Sequence, residues 1–375
     1  MKAAFAALPL LTLALAFSTN AFAQTTSVTP TPPDYPRGKI SGYFFGDTYD
    51  DMVGNPISSR SYDAAGNDTD PAYISANGKP TGVIGKGLNG FQLRRVYFQL
   101  DNDLSAKFST RFRLEADSKS LTSDGKVGVA VKAAYMQVRQ LYPRADFFFG
   151  MNSTPTWENS EDYWSYRSIE KTLADFRGIL PSTDIGAELK GFVDPAHVLG
   201  YTLMVGNGSG QKPETNRDKR TYLALPMHWR DWRLEPYVDY LNSPGARDTA
   251  TYKVFAAWDI KRGAIGYEYI DQIGHVPAAA FNEAVGHSVF ARWPFTDQVA
   301  AFARMDLWDP NLRTASRVRS QLWIAGVDYQ PLKDVHFMPN VEATQYKAVG
   351  LAAVPPHHDL QARLTFFWKF SKPQS

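Results

Sequence analysis

Ala106-Lys107-Phe108-Ser109-Thr110-Arg111-Phe112-Arg113-Leu114-Glu115-Ala116-Asp117 sets Phe108, Thr110, Phe112 and Leu114 on one parity and Ser109, Arg111, Arg113, Glu115 and Asp117 on the other. Side chains alternate between two faces in an extended chain, so this period of two marks a strand with one apolar and one charged face. The pattern returns at Trp232 to Tyr240, where Trp232, Leu234, Val238 and Tyr240 oppose Arg233, Glu235, Tyr237 and Asp239. It returns again where Ala362, Leu364, Phe366, Trp368 and Phe370 oppose Gln361, Arg363, Thr365, Phe367 and Lys369.

Reading outward between turn signals gives sixteen strands, at 39–52, 90–101, 105–117, 127–140, 145–151, 184–193, 198–207, 219–229, 232–241, 250–260, 263–272, 285–293, 299–308, 320–329, 335–345 and 359–370. Their connections alternate. Tyr142-Pro143-Arg144, Arg230-Asp231 and Lys261-Arg262 are tight turns, whereas 53–89 and 152–183 are long and polar. Turns on one side and loops on the other are the pattern of an outer-membrane barrel. Hydrocarbon offers backbone amides no partner, so only a closed sheet leaves none unpaired. The expected fold class is therefore all-β, a closed antiparallel transmembrane β-barrel of 16 strands over 39–370, with the long third loop, 152–183, folded into the lumen. Pro226, Pro236 and Pro339 fall inside proposed strands, where each removes a ladder donor and points to a bulge or a register error. The aromatic run Phe366-Phe367-Trp368-Lys369-Phe370 fits an interfacial girdle, and 371–375 reads as a C-terminal tail.

The N-terminus places the chain outside the cytoplasm. Lys2, an apolar run from Ala3 to Phe17 and the small residues of Ala21-Phe22-Ala23 read as a signal peptide over 1–23. A membrane anchor would need about 20 apolar residues, and this run stops at Ser18-Thr19-Asn20. Residues 24–38, rich in Thr and Pro, read as an extended strap. Lys plus Arg number 40 against 38 Asp plus Glu, a balance that gives no reason to expect a nucleic-acid partner. The chain has no cysteine, which excludes disulfides, thiolate metal sites and Cys nucleophiles together. The expected location is the bacterial outer membrane.

Neighbours in sequence are neighbours in such a barrel, and the sixteenth strand closes on the first. Arg95, Arg111, Arg113 and Arg363 then share one sector of wall, with Arg139 one strand further. They are expected to form a basic ladder facing water, because each would cost about 2 to 4 kcal/mol in lipid near the midplane; the plainer reading is a solvated polar face. The 152–183 connection carries Glu158, Glu161, Asp162, Glu170 and Asp175 against Arg167, Lys171 and Arg177. With Trp157, Tyr163, Trp164, Tyr166 and Phe176 it has too many rings for a loop fully in water. Folded inward, it is a constriction loop presenting Glu158, Glu161, Asp162, Tyr163, Arg167, Glu170 and Lys171; the alternative is an external cap. An acidic loop facing a basic wall sets a transverse field that favours small polar solutes and ions, with modest anion preference.

Gly90-Phe91-Gln92-Leu93-Arg94-Arg95, the pair Ile169-Glu170-Lys171 and Pro181-Ser182-Thr183-Asp184-Ile185-Gly186, and Asn207-Gly208 resemble segments of the phosphate-selective porin O and P family. The strand pattern extends this resemblance from Lys39 to Phe370. It implies a sixteen-stranded, trimeric outer-membrane channel whose third loop folds inward. The implied partners are outer-membrane lipid, further copies of the chain, and small hydrophilic solutes and anions. Where that family has a Pro-Gly-Arg-Asp-like turn, this chain has Pro181-Ser182-Thr183-Asp184, without the arginine.

Enzymatic and metal readings are weaker. His287 and Ser288 are consecutive in a strand and face opposite ways, so they do not combine as base and nucleophile. His357-His358-Asp359 follows Pro355-Pro356 with no second ligand pair nearby, which fits a strand entry better than a metal site. No cofactor is expected. The rival to a passive channel is a receptor or adhesin barrel that binds through 53–89, and nothing in the sequence resembles a separate plug domain.

Overall fold

The computed structural model describes residues 34–56, 85–122, 126–243, 248–275, 281–351, 355 and 357–373. The expected signal peptide, all but the end of the strap, and most of the 53–89 loop lie outside the described residues.

Sixteen strands form the wall: β1 Arg37–Val53, β2 Asn89–Asp103, β3 Phe108–Leu121, β4 Val127–Tyr142, β5 Ala145–Ser153, β6 Thr183–Phe192, β7 Gly200–Gly206, β8 in two pieces, Lys219–Ala224 and Met227–Trp229, β9 Trp232–Asn242, β10 Asp248–Ile260, β11 Gly263–His275, β12 Asn282–Pro294, β13 Val299–Asp309, β14 Arg317–Leu332, β15 Val335–Val349 and β16 Asp359–Pro373. Each pairs antiparallel with its neighbour in sequence, and β16 pairs with β1, Trp368 opposite Phe44, so the sheet closes. The turns are as short as two residues, and they hold Arg144, Arg230, Lys261 and Asp334 at positive φ, the backbone that matches a hairpin to the twist of its strands.

The prolines act differently from one another. Pro226 breaks β8, because it has no N–H to give, and its carbonyl instead accepts the Gly200 amide at 2.7 Å. Pro236 sits in β9 with the β10 register unshifted, opposite Val254. Pro339 likewise leaves the β14–β15 register unchanged between Gly326–Asn340 and Tyr329–Phe337. The expected tail needs correction. The β16 ladder continues past Phe370, pairing Ser371 with Ser41 and Pro373 with Lys39. The strap likewise ends earlier than expected, since Arg37 and Gly38 already pair with Asp103 and Asn102.

The two faces of the wall differ as the alternation requires. Phe98, Phe112, Leu203, Val254, Trp323 and Leu364 stand exposed on one face, while Arg95, Glu115, Asp239, Lys253, Glu268 and Arg304 are buried on the other. That second face is not uniformly polar. Phe255, Phe290, Phe302, Leu322, Ile324 and Met338 form an apolar patch on it.

The connection between β5 and β6 holds two short helices, α1 Glu158–Trp164 and α2 Leu173–Phe176. Trp164, Tyr166 and Ile169 pack on the apolar patch, with the Trp164 ring 5.4 Å from Phe290 and 6.0 Å from Phe302. Of the rings that made this stretch unsuited to water, Trp164 and Tyr166 are thus buried on the wall, and Tyr163 and Phe176 pack half-buried against the same patch. The connection closes at Asp184, which is fully buried and accepts hydrogen bonds from Tyr222 Oη at 2.7 Å, Gly208 N at 2.8 Å and its neighbour Ile185 N at 2.9 Å. Gly206 lies against it, and a Cβ there would come within 2.3 Å of Asp184 Oδ2.

Asp184→Ala leaves the Tyr222 hydroxyl and the Gly208 amide without their acceptor, at about 1–3 kcal/mol each. Urea unfolding of the refolded barrel should show a loss of that order. An unchanged midpoint would mean that water replaces the carboxylate.

Candidate functional site

A β-bulge shapes the charged sector. Between Phe45–Arg95 and Gly46–Leu93 the β1–β2 register slips by one residue, so Arg94 and Arg95 both turn toward the buried face. Arg94 donates to the carbonyls of Ile169 at 2.6 Å and Ser168 at 3.1 Å, and pairs with Glu170 at 3.2 Å and Asp47 at 3.5 Å. Gln92 also donates to Asp47, at 3.1 Å. Strict alternation would send Arg94 the other way, so sequence reasoning missed it.

An open basic ladder is not what the wall presents. Arg95 is buried between Glu115, at 2.9 Å, and Asp117. Lys132 joins from β4, 3.2 Å from Glu115, and donates to Ser182 Oγ at 2.9 Å. Arg363 is buried against Glu342 at 2.9 Å and Gln361. Arg139 pairs with Asp103 near the β2–β3 turn, where its amide donates to Lys107 O at 2.8 Å. Arg111 pairs with Asp101 at 2.6 Å, and Arg113 gives its Nε to Gln99 Oε1 at 2.6 Å. The physical reason is register: Arg95, Arg111, Arg113 and Arg363 each lie beside an acid or amide on the same face of their own or the adjacent strand, Arg139 reaches across β3 to Asp103, and a poorly solvated charge is held only when paired.

Arg111 and Arg113 do meet the acidic connection. With Lys132 and Lys190 of the wall they line a cavity of about 370 Å³, together with Glu158, Glu161, Asp162 and Arg167. Lys190 pairs with Glu158 at 2.6 Å. Arg167 bridges Glu161 at 3.1 Å and Asp175 at 2.9 Å, and Lys171 holds Asp175 at 2.8 Å. Burial pushes the Glu161 carboxyl up to about 7, against the pull of Arg167. Partial desolvation by the surrounding elements, and then Glu158, also raises Asp162. Burial alone would raise Asp175, but Arg167 and Lys171 hold it below the usual carboxylate range. Tyr163 lies elsewhere, donating to Asp259 at 3.0 Å, and Glu170 belongs with Arg94.

A second buried network lies across the sheet. Lys253, fully buried, pairs with Glu235 at 3.1 Å and donates to the Thr156 carbonyl. Thr156 donates to Tyr237 Oη at 2.8 Å, which in turn donates to Asp239 at 2.8 Å. Arg304 pairs with Asp306 at 2.5 Å and donates to Lys171 O. Glu268 accepts the Ala174 amide at 3.1 Å. The wall residues of this network stand on the charged parity of their strands, but only the closed sheet places them under 152–183. Of the other candidates, His287 bonds Tyr267 Oη at 2.9 Å while Ser288 is buried on the opposite face. Among the described residues no group of three or more His, Asp or Glu side chains could hold a metal ion.

No protein-family profile matches the chain, and no curated protein matches it. Solved structures do resemble it. The outer-membrane channel DcaP of Acinetobacter baumannii aligns with a TM-score of 0.63 at 12% identity over 89% of this chain and 97% of that one. An anion-selective porin from Comamonas acidovorans aligns with a TM-score of 0.59 at 10% identity over 90% of this chain and all of that one. OmpT, an outer-membrane protein of Vibrio cholerae in trimer form, aligns with a TM-score of 0.58 at 11% identity over 89% of this chain and all of its own. At such identities the likeness is one of fold.

Lys253→Met strands the Glu235 carboxylate, and breaking a buried pair in this way costs about 3–5 kcal/mol. Unfolding in urea should show that loss, and adding Glu235→Gln should recover part of it. If the double variant is no more stable than the single one, the pair is not the source of the cost.

Proposed function

We propose that the protein is an outer-membrane porin, a water-filled channel for passive diffusion of small hydrophilic solutes and ions. The observation that carries this is the closed sixteen-stranded wall, apolar on its exposed face and charged on its buried one. Such a wall satisfies every ladder amide in hydrocarbon and keeps its polar face for water. The protein resides in the bacterial outer membrane, and the connection 152–183 occupies the lumen as a constriction. Its contacts with strands as far apart as β2, β10 and β13 support that placement.

The constriction is the cavity between Arg111 and Arg113 on the wall and Glu158, Glu161 and Asp162 on the connection. Five cationic side chains line it against three carboxylates, and the acids that pair with Arg111 and Lys132, Asp101 and Glu115, lie outside the lining, which supports a modest anion preference. Assembly as a homotrimer follows the trimer form of the structurally similar OmpT. The residues matching the phosphate-selective porin segments meet in space, Arg94 with Ile169 and Glu170, and Asp184 with Gly208.

Single-channel recording with reversal potentials in a salt gradient tests the reading. One unit charge at about 8 Å in water is worth about 0.5 kcal/mol, or a factor of about two in ion occupancy. Replacing Arg111 and Arg113 together by Gln should therefore lower the anion-to-cation permeability ratio by roughly that factor or more. Unchanged selectivity would remove both residues from the permeation path.

Acidification should act in the opposite sense. A carboxyl with its pKa near 7 is charged above that pH and neutral below it, so passing from pH 8 to pH 6 removes the Glu161 charge and strengthens anion preference. Glu161→Gln should abolish most of this shift, and a variant that keeps the full pH dependence would place the titration elsewhere. Mass measurement in mild detergent decides assembly, a monodisperse monomer being the result that removes the trimer.

A further inference from the structure

Eight charged side chains line the 370 Å³ cavity, and among the described residues six are engaged in ion pairs. Arg111 pairs with Asp101 at 2.6 Å, Lys132 with Glu115 at 3.2 Å, Arg167 with Glu161 at 3.1 Å and Lys190 with Glu158 at 2.6 Å. Two carry no such pair, Arg113 of β3 and Asp162 of α1, and they have opposite signs. Arg113 uses only its Nε, on Gln99, which leaves both Nη groups for an acceptor, and its guanidinium lies 5.4 Å from the centre of the Tyr97 ring. Asp162 is exposed, and it also borders the two adjoining cavities of about 360 and 400 Å³. The remaining lining is rich in rings. Tyr43, Tyr97, Tyr135 and Trp157 all face the space, and the Tyr43 and Tyr97 centroids are 4.6 Å apart.

We infer that this cavity binds aromatic α-amino acids in zwitterionic form, with the carboxylate on Arg113, the ammonium on Asp162 and the ring against Tyr43 and Tyr135. The inference rests on the channel reading, within which the cavity is a recognition step on the diffusion path. A simple anion would meet Arg113 but be repelled by Asp162, and a simple cation would meet the reverse. Only a solute carrying both charges pairs each free group, and planar Arg–carboxylate contact is the stronger and more directional of the two. Tyrosine and tryptophan faces add offset stacking for an aromatic side chain that an aliphatic one lacks.

Ligand-observed NMR titration of the folded full chain in detergent tests the site without relying on conductance. Each charge-assisted contact is expected to contribute about tenfold in affinity. L-phenylalanine should therefore bind about tenfold more tightly than 3-phenylpropionate, which lacks the ammonium, or phenethylamine, which lacks the carboxylate, and more tightly than leucine, which lacks the ring. Arg113→Gln should bring phenylalanine down to the level of phenethylamine, and Asp162→Asn to that of 3-phenylpropionate. Equal affinities of the four solutes for the unaltered protein would overturn the site whatever the variants do. Folded variants that keep the original ranking would overturn the residue assignment. In planar bilayers, phenylalanine should add current interruptions that acetate does not. A bilayer without conductance, combined with an intact affinity ranking in detergent, would sink the channel reading and leave the binding site standing.

Discussion

Pairing of the wall backbone with itself is the constraint on which everything else depends. Hydrocarbon supplies no donor or acceptor, so every strand needs two neighbours, and the first and last strands need each other. The Phe44–Trp368 pairing and the continuation of β16 to Pro373 are the local expression of that demand. It also explains why three prolines have different consequences. The ladder is kept through Pro236 and Pro339 without a shift of register, whereas at Pro226 the strand is interrupted and the freed Pro226 carbonyl takes the Gly200 amide instead. Closure then assigns the faces, since a closed sheet has one surface toward lipid and one toward its own interior.

Once the interior surface carries so many charges, their mutual arrangement becomes the next constraint. Desolvated charges are costly unless partnered, and breaking such pairs is far more damaging than their net contribution would imply. Arg95 with Glu115 and Asp117, Arg363 with Glu342, and Lys253 with Glu235 answer it through strand register. The bulge at Arg94 answers it in another way, by turning a second arginine toward the 152–183 connection. That connection is held by three kinds of contact: backbone carbonyls taken by Arg94, Lys253 and Arg304; ion pairs through Glu170 and Lys190; and the seat of Trp164 on Phe290 and Phe302. Deleting any one would leave the others, so the connection is anchored to the wall at several independent points.

The charge left over after this pairing carries the selectivity reading. Most of the cavity's formal charge is neutralised locally, so the field inside it comes from few groups. Arg113 and Asp162 stand opposite in sign, and Glu161, with its carboxyl raised by burial, titrates near neutrality. Under the proposed channel reading, such an arrangement would discriminate by small energies at close range, where water screens within about 8 Å.

The alternation at Phe108 to Asp117, repeated along the chain, was enough for the strand type, the count of sixteen, the segregation of short and long connections and the closed architecture, because period two and turn chemistry are local properties. The aromatic load of 152–183 likewise marked it as a buried stretch. What the sequence did not contain was register. Whether Arg111 faces an acid, whether Arg94 joins Arg95, and whether Lys253 lies under Thr156 depend on pairings between residues far apart in the chain and on a one-residue slip that inverts a face. The apolar seat for Trp164 was hidden for the same reason. Phe255, Phe290, Phe302 and Met338 stand on the charged parity of four different strands, and only closure of the wall brings them together beneath one loop.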